Sequence, residues 1–298
     1  MNTLWSRNSA VIGSAQRMRA WTAIGSVLLA WLVVSNAAAA PLAMLTDLQG
    51  KATISHSGRV VDATILSELE VGAQLQLAVG AMLTILLFDT GDEWVFKGPA
   101  LVAFRGAVPD VISGAKPEKR TPAIGKSVRL RPVGLVQGAV AMRSLGGLTR
   151  IRLTRLDATH ILERSPTFRW HGPLEGLNYQ IELADETGRM LHQATVSESS
   201  YSLPAALVLN EGSAYRWTVT AQLPGGRSTS TVGNFQIAGD ALRQQARQMQ
   251  TDPTAPVSER VAYAAWLDQV DLKDAARLVW RALAAERPDD SRLKALAQ

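Results

Sequence analysis

The chain has 298 residues, 47% apolar and 19% charged, with a formal net charge of +5. That length predicts two or three domains, and that composition supports buried cores and excludes a wholly disordered chain. Cysteine is absent, which excludes disulfide staples, thiol nucleophiles, thiolate metal sites and lipid attachment through cysteine.

The N-terminus reads as a secretory leader. Arg7, Arg17 and Arg19 precede "WTAIGSVLLAWLVV" (Trp21 to Val34), an uncharged apolar stretch, and "SNAAAAP" follows with small residues. Charge, apolar helix and small-residue cut site in that order predict a signal peptide over residues 1–39, cleaved after Ala37 or Ala39. The alternative is an uncleaved membrane anchor, because weakly apolar character continues through "AAAAPLAML". Either way the body is expected in the periplasm or cell envelope.

From Leu45 to about Phe104 the pattern is β. "GKATISHSGRVV" predicts two short strands about a Ser57-Gly58 turn. "AQLQLAVGAMLTILLF" alternates and then becomes continuously apolar, and "EWVFKGPALVAF" gives two more strands broken at Gly98-Pro99. Between Arg105 and Gly134 the Pro content and basic residues predict a linker, with one strand near Ser127 to Leu130. From Asp157 to Ile237 short alternating strands recur with turn signals between them, the pattern of a β-sandwich. The last residues turn helical: "DALRQQARQM", then a helix opened by Ser258, then "LKDAARLVWRALAAERP" ending before Pro288, read together as an antiparallel hairpin. The expected fold is therefore mainly β with a short C-terminal helical tail.

Three stretches resemble known modules. The glycine-punctuated "GKATI" hairpin, "VGAQLQL" and the strands around "FDTGDEWVFKGPA" resemble the FecR-like periplasmic domain, which implies an all-β module over residues 40–134, basic linker included. Trp170 with Pro173, "NYQIEL" and "LNEGSAY" resemble a fibronectin type III domain over residues 157–238. That resemblance implies an immunoglobulin-like sandwich with Trp170 at its centre and a Tyr215 phenol bonded back to the preceding turn; Glu211 stands where the family has Pro. Ala276, Trp280 and Pro288 resemble the second helix of a tetratricopeptide repeat, within a tail spanning residues 239–298.

The chemistry-bearing motifs are few. Asp89-Thr90-Gly91 spells the catalytic turn of an aspartic protease, which needs two carboxylates sharing one proton. One triplet would require a symmetric dimer, and Asp92 stands where a small hydroxyl residue belongs. A hairpin turn explains the same residues, since Asp bonds its own backbone and Gly accepts positive φ. "AIGKS" lacks the upstream Gly of a phosphate loop, that place being Arg120. His56, His160, His171 and His192 have no metal-ligand spacing. No catalytic residue, metal or cofactor is expected.

What is left is binding. Lys116, Lys119, Arg120, Lys126, Arg129 and Arg131 form a basic stretch suited to an anionic glycan or lipid headgroup outside the cell, nucleic acid being excluded there. Lys119, Arg120, Lys126, Arg129 and Arg131, with Trp94, are the candidate contacts. The expected function is a non-enzymatic envelope protein that binds other envelope proteins or acts as a scaffold. The alternatives are a membrane-anchored envelope sensor and, behind it, a dimeric acid protease using Asp89.

Overall fold

Strands follow wherever the chain alternates, and the turns between them are set by residues that tolerate positive φ. The computed structural model describes residues 40–106, 108–122, 130–132 and 150–298. The expected secretory leader, Lys126 and Arg129 lie outside them, as do Ser127 and Val128 of the strand expected near there. Ten strands build the first β region: β1 Ala43–Gln49, β2 Ala52–His56, β3 Arg59–Asp62, β4 Glu68–Leu69, β5 Gln74–Leu77, β6 Met82–Leu87, β7 Glu93–Lys97, β8 Ala100–Ala103, β9 Asp110–Ser113 and β10 Glu118–Arg120. They form two antiparallel sheets, ordered β10-β7-β6-β1-β4 and β3-β2-β5-β8-β9. The β2–β3 hairpin turns on Ser57 (φ +49°) and Gly58 (φ +79°), the paired positive φ that matches strand twist.

Ala43, Leu45, Leu83, Ile85, Leu87 and Phe96 from one sheet meet Ile54, Leu75, Leu77 and Val102 from the other in a common core. Each large side chain buried there contributes roughly 2 kcal/mol. Strands β7 and β8 follow each other at Gly98-Pro99 but belong to different sheets, so the break is a crossing and not a hairpin. The stretch expected to be linker carries two edge strands: β9 pairs with β8, and β10 pairs with β7. All three side chains of β10 are exposed, which is why it reads as linker.

Eight further strands form the second β region: β11 Arg152–Leu153, β12 Thr159–Ile161, β13 Thr167–His171, β14 Tyr179–Asp185, β15 Met190–Val196, β16 Ser200–Ser202, β17 Ala214–Gln222 and β18 Ser228–Ile237. One sheet runs β11-β13-β16; the other runs β12-β18-β17-β14-β15 and is antiparallel except between β12 and β18. Between them lie Phe168, Trp170, Ile181, Leu183, Trp217, Val219 and Phe235. Trp170 and Trp217 have ring centroids 6.2 Å apart at the centre. The Tyr215 hydroxyl oxygen accepts the Asn210 N–H at 2.8 Å, so the phenol does bond back to the turn before it. Tyr215→Phe strands that donor, and a loss of about 1 kcal/mol in urea unfolding is expected; an unchanged midpoint would show the bond to be idle.

Four helices follow: α1 Asp240–Met249, α2 Val257–Gln269, α3 Lys273–Glu286 and α4 Ser291–Leu296. The tail is thus more than a hairpin. The short α4 is held by Asp290, whose carboxylate accepts the N–H groups of Arg292 and Leu293 at 2.9 and 3.0 Å. None of the described helices is long and apolar enough to cross a membrane.

Helix α2 is buried almost all round, with Val261, Ala262, Ala264, Trp266 and Leu267 joining a core that also holds Met44, Ile65, Leu66 and Leu86. It covers the face of the β1–β6 sheet opposite to the first core. This explains why "LTILLF" is continuously apolar: both faces of β6 are covered, so alternation is lost. The described residues form one compact unit.

Candidate functional site

The hairpin between β6 and β7 settles the geometry of the Asp89 triplet. Asp89 and Thr90 are exposed, and Gly91 sits at φ +70°. The Gly91 N–H donates to Leu87 O at 2.9 Å, the Leu87 N–H donates to Asp92 O at 3.0 Å, and the Asp92 N–H donates to Thr90 Oγ1 at 3.2 Å. Asp, Thr and Gly here close a turn.

Strand β10 lies along β7 with Lys119 opposite Trp94 and Arg120 opposite Glu93. The ammonium of Lys119 is 2.7 Å from Asp92 Oδ2 and 5.9 Å from the centroid of the Trp94 ring. Its hydrogen bond holds the Asp92 carboxyl below the usual carboxylate range, helped by Thr90 and Thr121. Arg120 forks onto Glu118 at 2.8 and 3.0 Å. Trp94 is partly buried against the first core. Three of the candidate contacts therefore meet on one edge, but each cation there already has its own carboxylate. Arg131 sits elsewhere: its backbone N–H donates to Gln269 Oε1 at 3.0 Å, and Gln269 Nε2 donates back to its carbonyl at 2.6 Å.

Buried acids at the seams between β regions and helices were not foreseen. Glu93 is 3% exposed. Ser258 Oγ donates to its Oε2 at 3.2 Å, while Oε1 has no partner among the described residues. Burial pushes this carboxyl up to about 7; the Ser258 bond opposes the rise, Glu259 and Asp47 add to it, and Arg120 counters. Ser258 thus serves Glu93 and does not cap α2, which starts one residue earlier after Pro256. Arg287 reaches from beyond α3 to Asp47 of β1, with a second contact at 3.2 Å. Asp274, 7% exposed, accepts the Leu156 N–H at 2.9 Å and Arg277 Nη1 at 2.9 Å, with Arg155 Nε at 3.6 Å. Asp271 O accepts Thr159 Oγ1 at 3.0 Å and the His160 N–H at 2.7 Å. Helices and strands are joined by polar bonds as well as by apolar packing.

A cleft of about 720 Å3 lies over one end of the five-stranded sheet of the second region. His160, Asp185, Arg216, Asn234, Gln236 and Asp271 line it. Asp185 is saturated: it accepts Thr187 Oγ1 at 2.6 Å and the N–H groups of Thr187 and Arg189 at 3.0 Å each, and these bonds, with the Thr187 hydroxyl first, hold its carboxyl below the usual carboxylate range. His160 Nδ1 lies 3.2 Å from Val270 O. Such a cleft can hydrogen-bond a ligand, and Asp185 is too well satisfied to accept a proton as a base. Among the described residues no group of His, Asp or Glu is placed to hold a metal ion.

No protein-family model and no curated protein matches the chain. Among solved structures, CopC from Methylosinus trichosporium OB3b is similar over 30% of this chain and 96% of its own, at 15% identity and a TM-score of 0.24. A tetra-tandem repeat from the extending region of a large adhesion protein is similar over 67% of this chain, at 16% identity and a TM-score of 0.21. The match spans 42% of that adhesion chain.

Proposed function

We propose that the chain is a non-enzymatic binding or scaffold protein of the bacterial cell envelope. In this reading a FecR-like β module and a fibronectin type III-like sandwich are presented by a helical tail that locks them together. The expected secretory leader supports that compartment. The observation that carries the reading is the set of polar seams, buried at Glu93–Ser258 and Asp274–Leu156 and partly buried at Asp47–Arg287, which join the β regions to the helices. Such seams hold the exposed sheet faces and the long edge strand β15 in a fixed relation, as a platform for partners requires.

Crosslinking in intact cells, followed by capture of this chain and mass spectrometry, tests the reading. The expected result is a defined set of envelope proteins and a mature N-terminus after Ala37 or Ala39. Recovery with cytoplasmic proteins and an unprocessed leader would overturn it.

The sensor reading gains from one observation. A carboxyl that changes charge near pH 7 lies at the seam between β7 and α2, so envelope acidity would alter how tightly the helices hold the sheet. In that case the leader stays uncleaved as an anchor, which the same N-terminal peptide would reveal.

A further inference from the structure

A row of arginines without carboxylate partners among the described residues lies on the second β region, away from the basic stretch that the sequence singles out. Strands β11 and β13 pair with Arg152 opposite His171, and the Thr154 N–H donates to Arg169 O. Arg152, Thr154, Arg169 and His171 therefore share the outward face of the three-stranded sheet, two residues apart along each strand. Arg150 precedes them on the same parity and is exposed. Helix α3 adds Arg277 and Arg281 from the side, and with Arg152, Arg155 and His171 they line a crevice of about 240 Å3. Asp274 is committed to Leu156, Arg155 and Arg277, and Glu163 to Arg155, while Asp157 and the C-terminal Gln298 also line the crevice, so its arginines are balanced in part by the chain's own acids. Among the described residues Arg150, Arg152 and Arg169 meet no carboxylate.

We propose that this face docks a linear acidic polysaccharide, with successive carboxylates of the polymer along the exposed row Arg150, Arg152 and Arg169. Guanidinium groups suit carboxylates because the two planar forks match. A strand repeat of roughly 7 Å between side chains on one face offers charges in a row, as a polymer with one acid per sugar needs. The hydroxyls beside the arginines complete the match. Ser200 lies opposite Arg169, and Thr167 and Ser202 lie opposite each other with oxygens 2.8 Å apart. This favours a hydroxyl-rich polyanion over nucleic acid, which takes exposed aromatic rings to stack on; the large rings of this region, Phe168, Trp170 and Trp217, are buried in its core.

The purified full chain is titrated with polygalacturonate and, separately, with a single-stranded oligonucleotide, at low and moderate salt. Polygalacturonate is expected to bind, more weakly as salt rises. Its affinity should fall about ten-fold or more in the double variant Arg152→Ser/Arg169→Ser. The double variant Lys119→Ser/Arg120→Ser removes equal charge from the compensated edge and is expected to bind as the parent does. Arg150→Ser alone should weaken binding by a smaller factor, and thermal melting checks that each variant is folded. Absence of binding to polygalacturonate, equal losses in the two double variants, or preference for the oligonucleotide would each overturn the proposal.

Discussion

Glu93→Gln is expected to melt higher than the parent at pH 8 and level with it at pH 4. The sign follows from where the proton sits. Burial raises the folded-state carboxyl to about 7, against an ordinary value of 4.5. Below pH 4.5 the group is protonated in both states and adds no penalty. Between 4.5 and 7 the unfolded chain ionises while the folded one keeps its proton, so stability falls as pH rises. Above 7 the penalty is complete, at roughly 3 kcal/mol for that shift. Gln keeps the shape and an acceptor for the Ser258 hydroxyl but cannot ionise, so its curve lacks this slope. Asp268 is also raised by burial, but it is the same in both proteins and cancels in the difference. The gap between variant and parent should therefore widen by roughly 3 kcal/mol from pH 4 to pH 8, measured by urea unfolding at each pH. Parallel curves would mean that water or a shifted helix already solvates the charge.

That residue also marks how far the sequence could be read. Glu93 opens "EWVF" and looks like a solvent-facing acid at the end of a hairpin turn. What buries it is Ser258 and its helix, 165 positions away, and no local pattern carries that distance. The same helix explains "LTILLF": the apolar run was visible, but the layer covering its second face was not. Tyr215 was legible because its partner, Asn210, lies five positions away. The edge strand β10 was not legible, since every side chain on it is exposed and period-two alternation has nothing to alternate between. The basic stretch shows the converse limit. Glu118, the partner of Arg120, stood two residues away in the sequence, but Asp92, the partner of Lys119, comes from the facing strand. Counting charges along the chain therefore found cations whose neutralisers come from neighbouring structure. The arginines of "RIRLTR" and of α3 attracted no notice, because they become neighbours only when α3 folds against the sheet.

Asp274 supports the other seam, and Asp274→Ala should cost about 3 kcal/mol. Leu156 is fully buried and adopts φ +60°, a conformation that a branched residue holds only when its surroundings impose it. Its carbonyl accepts Trp217 Nε1 at 2.8 Å, and its N–H donates to Asp274 Oδ2 at 2.9 Å. One peptide segment thus links the tryptophan at the sandwich centre to the first turn of α3. Removing the carboxylate leaves a buried N–H without an acceptor and leaves Arg155 and Arg277 facing each other without the anion between them. It also removes a negative charge from the helix N-terminus, a smaller loss. Asp274→Asn keeps an oxygen for Leu156 but not the charge, so its cost should be about 1 kcal/mol. Arg277→Ala, which removes a half-exposed partner, should cost less still. This ordering tests the mechanism better than any single value. If Arg277→Ala matches Asp274→Ala in urea unfolding, the ion pair holds the seam; if Asp274→Ala alone is severe, the Leu156 backbone bond does.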